Sequence, residues 1–252
     1  MIKQLDTKHL AQGSCVISSQ MNDFFSSWED ETKAFDQIWN EWFLHQSVLS
    51  HLDYGGVWAG SGTLDYNEAR VLYTLLKRLN PKNVLEIGVA QGVSGSLIRT
   101  ALDPTAKLTG VDIQVPTSVC EKYLDFLKQK EIVFYQCDAI EFVKQIDQEY
   151  DFIFVDADHY KEFCCSIASA LKEKYPRATI VYHEWAFSAH ASDEELVESS
   201  EFISQTQFIR RFWERKAFED EYWESNYSHF GFYGSCGLGV VIDNALHATI
   251  KH

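Results

Sequence analysis

The stretch "NVLEIGVAQGVSG", residues 83–95, runs from four strand-like residues, Val84 to Ile87, through an acid and three glycines toward a helical segment. Asn80-Pro81 ends the preceding helical pattern, and beyond the glycines Leu97, Ile98, Ala101 and Leu102 recur at helical spacing. The local reading is therefore strand, tight turn, helix. What the turn can hold decides between very different functions.

The same alternation extends along the chain. Upstream, Asp65 and Glu68 fit a capping box, followed by Ala69, Leu72, Tyr73, Leu76 and Leu79 on one helical face. Downstream, strands are expected at 108–113, 132–138, 150–158 and 178–184, with a helix carrying Tyr123, Leu124 and Leu127 between the first two. Ser192 and Glu195 suit the start of a further helix, and GLGVVID, 237–243, suits a closing strand. Strands separated by helices imply parallel pairing with right-handed crossovers, and continuous apolar runs suit strands covered on both faces. The expected fold is α/β: a doubly wound, mostly parallel seven-stranded sheet. Residues 1–60 are expected to form a helical extension, with Phe35, Trp39, Trp42 and Phe43 on one face against the core or a neighbouring subunit. Residues 61–252 form the main domain, with 186–235 as a lid or substrate insertion. Residues 206–233 mix aromatics and charges without a clear period.

The glycines fall at 88, 92 and 95, giving G-x-x-x-G-x-x-G. A dinucleotide fingerprint needs G-x-G-x-x-G, and a phosphate-cradling P-loop needs Gly-Lys-Ser/Thr; neither is present. Glu86 precedes the turn, and its carboxylate is expected to point toward the mouth, repelling a pyrophosphate and favouring a cationic ligand. In open α/β sheets ligands bind beyond the carboxyl ends of the strands, where Glu86, Asp112, Asp138 and Asp156 would converge. Each acid alone would read as a helix cap or a solvated loop residue; their joint placement overturns that reading.

E-x-G-x-x-x-G after a strand resembles the first motif of class I S-adenosylmethionine-dependent methyltransferases, a family with a Rossmann-like sheet. Asp112 stands where that family holds the ribose, and Asp138-Ala139 resembles its adenine-flanking motif. FIFVDADHY, 152–160, resembles the fourth motif of the small-molecule O-methyltransferases of catechol and caffeoyl-CoA type. The likeness covers about residues 60–185 and the closing strand. It implies S-adenosylmethionine as cofactor, bound by Glu86, Gly88, Gly92, Ser94, Asp112, Asp138, Ala139 and Asp156.

On the acceptor side that family uses a divalent metal held by the first Asp of the fourth motif, which Asp156 matches, and by an Asp-Asn pair after the fifth strand. Here IVYHEW places His183 and Glu184 at that pair. Asp156, His183 and Glu184 could form a mixed oxygen and nitrogen site for Mg or another divalent metal. Alternatively His183 is a metal-free general base oriented by Glu184 or Asp158. The expected catalytic residues are His183, Asp156 and His159, the last at even odds with a structural role; His190 is a weaker candidate. Tyr182, Trp185, Phe187 and the aromatics from Trp213 to Tyr233 could wall an acceptor pocket or pack a lid.

A net charge of -15 argues against nucleic acid and anionic membrane as partners and favours a small-molecule acceptor. No apolar run approaches the roughly 20 residues that span a bilayer, and MIKQLDTKHLAQG lacks an apolar signal core, so a cytoplasmic protein is expected. The cysteines, Cys15, Cys120, Cys137, Cys164, Cys165 and Cys236, form no CxxC pair and read as reduced thiols. A homodimer is a further expectation. The leading function is methyl transfer to a hydroxyl of a small organic molecule. The alternatives are an N- or peptide methyltransferase, a non-catalytic association protein, and, more distantly, a nicotinamide oxidoreductase.

Overall fold

A computed structural model of the chain describes residues 13–17, 30–31, 33–39, 64, 66–90, 92–114, 128–183, 214, 217–218, 220–222, 226–233 and 237–246. The chain divides into two compact units, residues 22–157 and residues 1–21 with 158–252.

In the 22–157 unit, α1 (33–39) is followed by α2 (Tyr66–Leu79), β2 (Asn83–Ile87), α3 (Val93–Ala101), β3 (Lys107–Asp112), β4 (Ile132–Gln136), α4 (Ala139–Gln145) and β5 (Phe152–Val155). β2 pairs in parallel with β3 on one side and β5 on the other, and β3 pairs in parallel with β4. β2 is sandwiched on both flanks, so Val84, Leu85, Glu86 and Ile87 are all buried and the strand shows no polar alternation. β4 is different: its Val133 and Tyr135 are exposed. Asp151 anchors the amino end of β2, accepting the N–H groups of Lys82 and Asn83 at 2.8 and 2.9 Å.

α2 buries an unbroken run from Val71 to Leu76, wider than the single stripe its sequence suggests. The aromatic N-terminal stripe explains part of this width. Phe35 is fully buried, its ring centroid 5.5 Å from those of Trp39 and Tyr66 and 5.6 Å from that of Tyr73, and Tyr66 donates to Asp36 at 2.6 Å. For Phe35 the stripe is therefore core packing within one unit. Trp42, Phe43, the Asp65 half of the capping box, the helix around Tyr123 to Leu127 and the one at Ser192 lie outside the described residues.

In the other unit, β1 (Gly13–Ile17) pairs in parallel with β7 (Tyr227–Tyr233), β7 pairs antiparallel with β8 (Gly239–Asp243), and β8 pairs antiparallel with β6 (Thr179–Tyr182). α5 (Lys161–Lys174) belongs to the same unit. The described residues thus hold eight strands where seven were expected. Two of the eight have no counterpart among the strands located from sequence: β7, in the stretch without a clear period, and β1, in an extension read as helical, where a five-residue run ending in the β-branched Val16-Ile17 is too short for periodicity to assign. Tyr182, Phe218, Tyr222 and Tyr227 are buried, with Tyr182 stacked on Phe218 at 4.6 Å and Tyr222 edge-on to Tyr227 at 5.2 Å. These four rings pack on one another. Among the described residues no helix is long and apolar enough to cross a membrane, and Cys137, Cys164 and Cys165 are free thiols.

Candidate functional site

The parallel register brings the carboxyl ends of β2, β3, β4 and β5 to one edge. Backbone bonds extend the ladders just past the strands: Gly88 N–H to Val111 at 2.9 Å, Asp156 N–H to Ile87 at 2.8 Å and Cys137 N–H to Asp112 at 3.0 Å. Gly88, Asp112, Asp138 and Asp156 therefore gather at one sheet edge, as the motif positions imply.

Gly88 sits at φ +87, and a Cβ there would lie 1.8 Å from the Asp156 carbonyl oxygen, so only glycine fits between the two strand ends. The turn then passes Ala90 at φ 44, an L-residue held in the left-handed region, and reaches Gly92 at φ 77 as the cap of α3. Asp112 holds this strained turn. Its Oδ2 accepts the N–H groups of Val89 and Ala90 at 3.0 and 2.8 Å, and its Oδ1 accepts that of Gln114 at 2.9 Å. A carboxylate offers about four lone-pair sites, so capacity remains for a ligand hydroxyl.

Glu86 departs from the expected geometry. Rather than opening to the mouth of the turn it is fully buried, accepting a hydrogen bond from the Ser94 hydroxyl at Oε1. Its Oε2 lies over Gly95, where a Cβ would approach to 2.5 Å, so the missing side chain at 95 makes room for the acid. The reason is the strand: a residue one short of the end of a doubly covered strand has no solvent side to face. Burial pushes the Glu86 carboxyl up to about 8; the Ser94 hydroxyl opposes this, Asp156 and Asp112 reinforce it, and the Gly95 N–H weakly opposes it. Ser94 is buried beside it.

Asp138 is the N-cap of α4, its Oδ1 accepting the Glu141 N–H at 2.9 Å, with Ala139 as the first helical residue. Asp156 is half-buried and Asp158 exposed.

On the acceptor side, His183 directly follows β6 and is half-buried; Glu184, Trp185, Phe187 and His190 lie outside the described residues. Asp156 and His183 belong to different units, and among the described residues no three metal-capable side chains gather to hold an ion. His159 has a partner that the sequence reading missed. Its Nδ1 lies 2.5 Å from Oε2 of Glu214, with side-chain exposures of 16% and 2%. One signal pointed to Glu214: with Ala217 and Phe218 it shares helical spacing, so it is an acid on an apolar face, and all three are buried.

Residues 58–173 match the O-methyltransferase family model. The chain is 37% identical over 100 residues to tapetum-specific methyltransferase 1 of Arabidopsis thaliana, spanning 36% of this chain and 42% of that protein. It is 36% identical over 107 residues to caffeoyl-CoA O-methyltransferase 2 of Eucalyptus globulus, spanning 38% of this chain and again 42% of the relative. The matches thus cover less than half of either relative. Among solved structures, an O-methyltransferase from Bacillus cereus in complex with SAH aligns with a TM-score of 0.58 at 15% identity, over 86% of this chain and 99% of that one. Residues 58–173 thus resemble the O-methyltransferase family, and the chain shares the Rossmann-like α/β fold of the Bacillus cereus structure.

Proposed function

We propose that the chain is an S-adenosylmethionine-dependent methyltransferase acting on a hydroxyl of a small organic molecule. The observation that carries this reading is the turn at Gly88: a glycine pressed on the Asp156 carbonyl and a carboxylate, Asp112, clamping Val89 and Ala90. Such a cradle suits a ligand with hydroxyls for Asp112 and a cationic end near Asp156. The first residues of α3 add N–H groups suited to a carboxylate. Glu86 supports Ser94 from below rather than meeting the ligand directly.

When bound, the donor supplies an electrophilic methyl group on a sulfonium, so the chain's task is to align the acceptor and remove its proton. Ionising a phenol of pKa ~10 at pH 7 costs roughly 4 kcal/mol. His159 and His183 are the imidazoles suited to take that proton. Asp156, His183 and Glu184 could instead hold a divalent metal that lowers the same cost; imidazole in the set suits a transition metal better than Mg. The net charge of -15 supports a small acceptor over a polyanion, and action in the cytoplasm as a homodimer belongs to the same reading.

The test is methyl transfer from labelled S-adenosylmethionine to a panel of phenols, with caffeoyl-CoA and catechol as first probes, with and without EDTA. Saturable label transfer that Asp112→Ala abolishes is expected. No transfer together with no donor binding would overturn the proposal, and loss of activity with EDTA, restored by added metal, selects the metal-assisted form.

A further inference from the structure

Glu214 has no part in the donor site, yet it is among the most deeply buried charged side chains of the described residues. A buried carboxylate is expensive unless a cation or a set of donors compensates it. Here Oε2 meets Nδ1 of His159 at 2.5 Å, while Oε1 has no hydrogen-bond partner among the described residues. Among the described residues, Glu214 forms its ion pair with His159. Cys164 on α5 is buried, its thiol pushed well up first by burial and then by the charges of Glu214, Cys165 and Asp158. Asp158 itself is exposed, and its carbonyl lies 3.8 Å from the Cys164 sulfur. Among the described residues, the His159 imidazole is thus the partner that offsets a charge at Glu214. In sequence, His159 lies three residues past Asp156.

We propose that Glu214 is a positioning residue that fixes His159 as the Nδ1–H tautomer, so that Nε2 is the nitrogen that takes the acceptor's proton. The inference rests on the methyltransferase reading. In the step, the acceptor O–H bond breaks and its proton goes to Nε2. The oxygen lone pair forms the new bond to the methyl carbon, and the pair of the breaking carbon–sulfur bond stays on sulfur, leaving a neutral thioether. The imidazolium so formed is held against the Glu214 carboxylate and returns its proton to water. In this pairing His159 has a buried anion to stabilise its charged form.

Three readouts on the full chain test this, using Glu214→Leu, Glu214→Gln, Glu214→Asp and His159→Ala. Long-range proton–nitrogen NMR of the ligand-free chain, at a pH where imidazole is neutral, should show His159 with hydrogen on Nδ1; Glu214→Leu, which removes the hydrogen-bond acceptor, should shift it toward Nε2–H, and Glu214→Asp should keep it on Nδ1. An unchanged tautomer in Glu214→Leu overturns the proposal without any methyl acceptor being needed. With the first phenol that is turned over, Glu214→Gln should lower kcat ten- to a hundredfold with KM for the donor within twofold. His159→Ala with Glu214→Gln should be no slower than His159→Ala alone, because both act through one group. Multiplying losses, or an unaltered kcat, overturn it. S-adenosylhomocysteine affinity measured by calorimetry should stay within twofold in Glu214→Gln. If the unmodified chain fails to bind it, the methyltransferase reading falls, and the tautomer readout still judges the pair.

Discussion

Replacing Glu86 by glutamine isolates the energetic consequence of burying an acid beneath the glycine turn. The unfolded carboxyl titrates near 4.5, whereas burial raises the folded one to about 8. Between those values the folded chain keeps a proton that the unfolded chain has released, so rising pH favours unfolding. The contribution is fully present below about pH 4.5 and is lost as pH climbs through the folded value. At 1.36 kcal/mol per pH unit, the wild-type chain should lose on the order of 5 kcal/mol relative to Glu86→Gln by pH 8. The amide mimics the neutral acid in size, and every other titrating group is common to both chains and cancels. Urea denaturation followed by tryptophan fluorescence from pH 4.5 to 8.5 measures the difference. Near pH 4.5 the two chains should agree within about 1 kcal/mol, and the gap should then open in favour of glutamine. Parallel stability profiles over that range would mean instead that the buried carboxyl ionises as easily as an exposed one.

Three further outcomes follow from single contacts. Gly88→Ala puts a Cβ 1.8 Å from the Asp156 carbonyl at φ +87, and should cost about 3 kcal/mol or more of stability by chemical denaturation, from overpacking and left-handed strain. Asp112→Ala leaves the Val89, Ala90 and Gln114 N–H groups without their acceptor; stability should fall by about 1–3 kcal/mol and S-adenosylhomocysteine affinity by at least about tenfold in calorimetry. Asp138→Ala removes the N-cap of α4 and should cost about 1 kcal/mol in thermal or urea unfolding.

The strand–turn–helix at 83–95 and the parallel strands around it were legible because each is a local apolar run bounded by glycine, proline or an acid. The positions of Gly88, Asp112 and Asp156 were legible for the same reason, since the end of a parallel strand is a fixed place in this architecture. Side-chain direction was harder. Glu86 looked like a polar residue at a strand end, but β2 is paired on both flanks and covered on both faces, so its penultimate side chain turns inward to Ser94. Asp138 shows that one acid can serve a motif and a helix cap together, which spacing cannot separate. Glu214 was missed because its partner is 55 residues away in sequence, and only its place on an apolar helical face hinted at burial. β1 was missed because its pairing with β7 is non-local and its five residues carry too little period.

For the methyl-donor site proposed at the Gly88 turn, clamped by Asp112, the decisive measurement is calorimetric titration of the full chain with S-adenosylhomocysteine. Saturable one-to-one binding is expected, with a Kd of roughly 1–100 μM, corresponding to about -8 to -5 kcal/mol, and its loss in Asp112→Ala. Absence of heat and of any thermal stabilisation up to millimolar ligand, in a chain that is demonstrably folded, would contradict it.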